Sequence, residues 1–155
     1  YFWTGDHHRS RFHFDRALTL NPADIQIKGD YANWQRASGR PVDALATIDA
    51  ALSLGPFVPD WFAAVRGQTL FDLERYQEAV EALESVPVHY SSGFLYLAAA
   101  RAQLGNLIGA SAVIARVKSV KPDLSLRNVA QVLHYARSEA RDHLIESLSK
   151  AGLTD

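Results

Sequence analysis

Apolar residues recur along this chain three and four places apart, in blocks cut by glycine and proline. That period is the helical one, so each block reads as a helix with one buried face. The blocks predict helices over residues 9–20, 25–37, 41–54, 59–73, 77–85, 94–104, 108–120, 125–133 and 138–151. Local punctuation agrees with the period. Asp24 and Asp60 stand where a side chain can accept from the free amides of a helix start. Ser38-Gly39 can end a helix, because glycine reaches the left-handed conformation cheaply. Pro41 suits a first turn, where its missing amide is not needed, and Pro87 stops the block before it.

Two landmarks repeat at one length. Gly5 and Gly39 lie 34 residues apart, as do Pro22 and Pro56, and the strings RALTLNP and AALSLGP end at those prolines. A period of this length, with helical spacing inside it, marks a solenoid of helical pairs. The chain divides into a partial repeat (1–24), a full repeat (25–58), a truncated repeat (59–87), a further repeat (91–124) and terminal capping helices (125–155). The register slips in the middle: Gly39 to Glu74 is 35 residues, and Glu74 to Gly105 only 31. Pro56 has no counterpart in the truncated unit. Its second helix should therefore be short and the stacking disturbed there. Tyr1, Phe2 and Trp3 read as the end of a first helix begun upstream. The groove this leaves beside Phe14 is expected to be covered by another chain or by an upstream domain.

The register resembles that of tetratricopeptide repeats. Counted from Ile25, Ala32 falls at the small eighth position, Gly39 in the turn, Ala44 at the small twentieth, Ala51 at the twenty-seventh and Pro56 at the closing proline. Gly67 and Ala79, then Ala98 and Ala110, repeat the eighth and twentieth positions. Tyr31 stands where the family usually has leucine, and Trp34 is displaced from its usual tryptophan. The resemblance implies an all-α, right-handed α-α superhelix closed by carboxy-terminal capping helices. A second likeness joins FVPDW (from Phe57), YLAAARAQLG (from Tyr96), KPDLSLRNV (from Lys121) and HLIESLSKAGL (from His143). These strings resemble the tetratricopeptide tails that follow bacterial class III adenylate or guanylate cyclase domains, or winged-helix regulators. A cytoplasmic setting and a role in signal transduction are the corresponding expectations.

Composition narrows the chemistry. The chain has 155 residues, 48% of them hydrophobic and 21% charged, enough for one domain with a sizeable core. A net charge of −1 argues against binding nucleic acid or an anionic membrane. The absence of cysteine removes disulfides, thiol nucleophiles and thiolate metal sites. No apolar run approaches the roughly 20 residues of a membrane helix. With no methionine, and a first residue that falls inside a repeat, further sequence upstream is expected.

Candidate chemistry is sparse. His7, His8 and His13 are poorly spaced for ligands on one helical face and have no companion carboxylate, so they read as surface and turn histidines. His89 near Ser91 suggests a hydrolase, but no nucleophile elbow or placed acid accompanies them; a serine there reads as a helix cap. No catalytic residue, metal site or cofactor is expected. In tetratricopeptide proteins the first helices of the pairs line a concave groove. The resemblance assigns to it Asn33, Arg36, Trp61, Gln68, Phe71, Asp72 and Gln103, bordered by Gln26 and Ala99. Amides can pair with a peptide backbone and aromatic rings can anchor apolar side chains. A protein or peptide is thus the expected partner, with self-association through the amino-terminal half-repeat as a further possibility. The competing readings are a structural oligomerisation element and, less favoured, an enzyme. Charge is uneven: six acids face two bases over residues 59–90, and seven bases face four acids over residues 116–150. Such a split could steer head-to-tail association.

Overall fold

The computed structural model describes residues 4–55, 58–86 and 91–155. The expectations that rest on Tyr1, Phe2, Trp3, Pro56, Phe57, Pro87, His89 and Tyr90 lie outside the described residues. Among those described there are nine helices and no strand. They are α1 (His7–Leu20), α2 (Ile25–Ala37), α3 (Pro41–Leu52), α4 (Trp61–Asp72), α5 (Tyr76–Glu84), α6 (Ser91–Gln103), α7 (Leu107–Val120), α8 (Leu126–Val132) and α9 (Ser138–Lys150).

Short polar side chains start several of these helices. Asp6 accepts from the amide of Arg9, Asp24 from Ile27, Asn106 from Gly109 and Ser125 from Asn128, at 2.9–3.2 Å. Asp60 departs from its expected role. Its backbone is already helical (φ −55°, ψ −30°) and its side chain makes no cap bond, so α4 begins without one. Pro41 opens α3 as the sequence suggests. Gly39 ends α2 with φ +82°, and the amide of Arg40 reaches back to the carbonyl of Gln35 at 2.9 Å. Glu74 does the same work after α4, at φ +59°, without being a glycine.

The chain is an all-α helical solenoid. α2 pairs with α3, α4 with α5 and α6 with α7, and each pair packs on the next. Small residues stand where the helices cross. Ala32 and Ala44 are fully enclosed between α2 and α3. A methyl group at Gly67 would lie 2.3 Å from Cγ of Leu83, and one at Gly29 would lie 2.4 Å from the Trp61 ring. At 9 residues, α5 is shorter than α3 (12) or α7 (14). It nevertheless packs on α6. Leu83 is buried over Gly67 and approaches Gly93.

Among the described residues, buried apolar side chains form three clusters. A small one, Trp34 and Ala37, meets the half-buried Phe14 and Tyr31. A middle one joins Ala32, Ile48, Ala51, Phe62 and Val65. The largest spans α4 to α9 and includes Leu70, Phe71, Leu97, Val117, Leu144 and Leu148. α9 packs on α6 and α8 on α9, as capping helices should. Between α8 and α9 the chain runs back across the solenoid. The amide of Ala136 donates to the carbonyl of Ala37, the last residue of α2, at 2.8 Å. No helix among the described residues is long and apolar enough to cross a membrane.

Candidate functional site

The first helices of the pairs, α2, α4 and α6, present one wall of a cavity of about 520 Å³. α8 and residues 133–135 form the facing wall, with Leu144 of α9 behind them. Helical spacing explains the lining. Asp30, Asn33 and Arg36 are three apart on α2, and Trp61, Ala64, Val65 and Gln68 are three and four apart on α4. Most of this lining is apolar. Asn33 and Gln68 bring amides to it, and Asp30 brings a carboxyl that burial, and then Asp24, hold above the usual range.

Beside the cavity lies a knot of four polar side chains, one each from α2, α4 and α6 and one from the returning segment. Arg36 Nη1 donates to Asp72 Oδ2 at 2.9 Å, to the Tyr135 hydroxyl at 2.6 Å and to the Tyr96 hydroxyl at 3.1 Å. Tyr135 donates to Asp72 Oδ1 at 2.7 Å, and the two tyrosine hydroxyls lie 2.6 Å apart. Arg36 Nη2 donates to Asn33 Oδ1 at 3.1 Å. The ion pair is buried, with side chains 8% and 5% exposed. Buried charges persist only when paired and hydrogen-bonded, and this arrangement supplies both. Burial opposes the charge of Arg36, but Tyr135, Tyr96 and Asp72 outweigh it and hold the guanidinium well above its usual range. Burial raises the Asp72 carboxyl against the pull of Arg36 and the Tyr135 hydroxyl. Burial also raises both tyrosines, Tyr135 strongly. The Nε of Arg36 is buried without a partner.

The seven residues assigned to a groove from the sequence separate into two groups. Asn33, Arg36, Trp61 and Gln68 line the cavity. Phe71, Asp72 and Gln103 do not open on it. Phe71 is wholly enclosed, edge-on to Tyr96 at 5.4 Å and stacked on His143 at 5.3 Å. Asp72 is occupied by the knot. Gln103 donates to the Ser147 hydroxyl at 2.6 Å, where α6 meets α9. Of the bordering residues, Gln26 is exposed and Ala99 is fully buried.

Tyr96, Leu133, His134 and Tyr135 were not singled out by sequence. One signal was available: Arg36 and Asp72 carry opposite charges about one repeat apart. Tyr135 lies in a stretch without a period and gave no such sign. The uneven charge is partly neutralised within the chain, since Asp72, Glu78 and Glu84 pair with Arg36, Arg75 and Arg101. Among the described residues no three His, Asp or Glu side chains gather in reach of one metal ion.

The fold is of the tetratricopeptide-like helical-repeat type. Two solved structures share it. A structure titled "Crystal structure of MamA" superposes with a TM-score of 0.65 at 20% identity, over 95% of this chain and 91% of that one. Another, "Crystal structure of MamA protein", gives 0.65 at 22% identity, over 95% and 85%. No protein-family model matches the sequence, and no curated protein matches it significantly.

Proposed function

We propose that the protein is a non-catalytic interaction module that holds an extended peptide segment in the cavity between α2, α4 and α6. The observation that carries this reading is the cavity itself. Its 520 Å³ falls in the range of ligand sites, its walls are largely apolar, and a few amides converge on it. Asn33 and Gln68 pair with the ligand's main chain, and Trp61 anchors an apolar side chain. Phe71, Asp72 and Gln103 act from behind, by fixing α4 and α6. The test is selection of peptides from a displayed library against the whole chain. Selected peptides should lose about tenfold or more in affinity to Trp61→Ala, the order of one interface hot spot. Failure to select any peptide, or indifference to Trp61→Ala, refutes the reading and leaves a structural spacer.

The wider context rests on sequence likeness. The strings shared with bacterial cyclase and winged-helix tails support a regulatory role in a cytoplasmic signalling protein. A catalytic or DNA-binding domain encoded upstream is the expected finding. Self-association through α1 is proposed from its exposed Phe12 and Leu20, and sedimentation of the chain over a concentration series tests it.

A further inference from the structure

The stretch between α8 and α9 is held in the way a bound peptide would be. Leu133 is extended (φ −84°, ψ 119°), and Leu133, His134 and Tyr135 line the cavity. The hydroxyl of Tyr135 enters the knot of Arg36, Asp72 and Tyr96. One residue on, the Ala136 amide caps the carbonyl of Ala37. Arg137 then lies over Gly39, so closely that a methyl group there would come within 2.7 Å of its Nε.

Leu133 and Tyr135 also rest against the main apolar cluster, and the Arg36 guanidinium lies 5.1 Å from the centre of the Tyr135 ring. Leu133, His134 and Tyr135 are only half-buried, and Ala136 and Arg137 are exposed. The elements on either side have anchors of their own. α9 buries Leu144 and Leu148, and the Leu126 amide at the start of α8 donates to the Thr154 carbonyl at 3.1 Å. None of these anchors of α8 and α9 runs through residues 133–137.

We propose that this strap is a built-in ligand. It occupies in cis the place taken by a tyrosine-bearing extended segment of a partner, and a partner binds by displacing it. The proposal rests on the peptide-binding reading above and adds what regulates the groove and which side chain it selects. The chemistry of the knot sets that choice. Arg36 and Asp72 neutralise one another and leave a donor and an acceptor aimed at one neutral hydroxyl. Phenylalanine would leave both buried groups a bond short. A phosphotyrosine would set its negative charge against Asp72.

The experiment uses the whole chain and a synthetic peptide of residues 132–137, with versions carrying phenylalanine or phosphotyrosine in place of Tyr135. Affinities are measured for the unaltered chain and for Tyr135→Phe, whose strap keeps its shape but loses its hydroxyl. The tyrosine peptide should bind Tyr135→Phe about tenfold or more tighter than the unaltered chain, because the competent fraction rises. The other two peptides should bind neither chain at that level. Equal affinity for the two chains, or equal binding of the phenylalanine peptide, overturns the proposal. Amide exchange on the unaltered chain guards against a poorly folded variant. Ala136 should exchange faster than the amides in the middle of α9; exchange of both only on global unfolding means the strap does not lift. Failure here is separable from failure of the parent reading. Library peptides that bind and depend on Trp61, yet bind both chains alike, leave the groove in use and the strap idle.

Discussion

The first and last of the described helices pack in opposite ways. At the amino-terminal end, α1 buries only Ser10 among its residues and leaves Phe12 61% and Leu20 75% exposed. Its best contact is Phe14, half-buried against Tyr31 and Trp34. At the carboxy-terminal end, α9 seals α6 with Leu144, Ser147 and Leu148, and the strap returns to the last turn of α2. A helical repeat cannot bury its face alone, so each end needs a neighbour. At the carboxy-terminal side that neighbour is α9, and the segment leading into it lines the cavity.

The largest effect that tests this contrast lies in the knot. Arg36→Ala leaves Asp72 buried and unpaired, which should cost about 3–5 kcal/mol in urea unfolding. Arg66→Ala removes a more exposed pair with Asp49 and should cost less than about 1 kcal/mol. Equal losses would mean that the strap's anchor is no stronger than a surface contact. Core deletions come next. Leu148→Ala, in the seal, should cost about 2–5 kcal/mol, while Phe12→Ala, on the exposed face of α1, should stay within about 0.5 kcal/mol.

The tyrosines test the strap through pH. Burial raises Tyr96 and Tyr135 above the usual value near 10, Tyr135 well above it. Below pH 10 both hydroxyls are protonated in the folded and the unfolded chain, and their contribution is fully present. As pH rises further the unfolded chain releases protons that the folded one retains, so stability falls through the folded values. The groups facing Tyr135 are Arg36 from α2, Asp72 from α4 and Tyr96 from α6, with His143 of α9 acting on Asp72. Tyrosinate absorbance should therefore show a late-titrating fraction among the six tyrosines, reduced in Tyr135→Phe. Titration of all six together near pH 10 would place Tyr135 outside the knot.

The helices were legible because their period is local. The small residues at the crossings were legible too, since Ala32, Ala44 and Gly67 recur at fixed places in the repeat. The cavity was legible in part: Asn33, Arg36, Trp61 and Gln68 followed from laying the groove positions of tetratricopeptide repeats on this register. Register cannot tell whether a position faces an open groove or a neighbour, and so Phe71 and Asp72 were grouped with residues that face the cavity. The strap was beyond reach. Tyr135 has its partners 99, 63 and 39 residues away, and nothing in the spacing of residues 133–137 announces them.

The smallest test compares two turns. Gly39 and Glu74 occupy the same place after α2 and α4, both with positive φ. Over Gly39 the strap passes, and a side chain there meets Arg137. Glu74 is exposed and carries no such load. Gly39→Ala should thus lose stability twice, about 1–2 kcal/mol for the left-handed backbone and more for the displaced Arg137. Glu74→Gly should gain. It relieves a similar backbone cost and gives back part of it through the greater freedom of glycine in the unfolded chain, for a net of about 0.5–1 kcal/mol. Thermal melts of both variants check the signs. Exchange of the Ala136 amide should quicken in Gly39→Ala and stay unchanged in Glu74→Gly. If Gly39→Ala costs no more than its backbone strain and leaves Ala136 protected, the strap does not bear on that turn, and the carboxy-terminal seal reduces to α8 and α9.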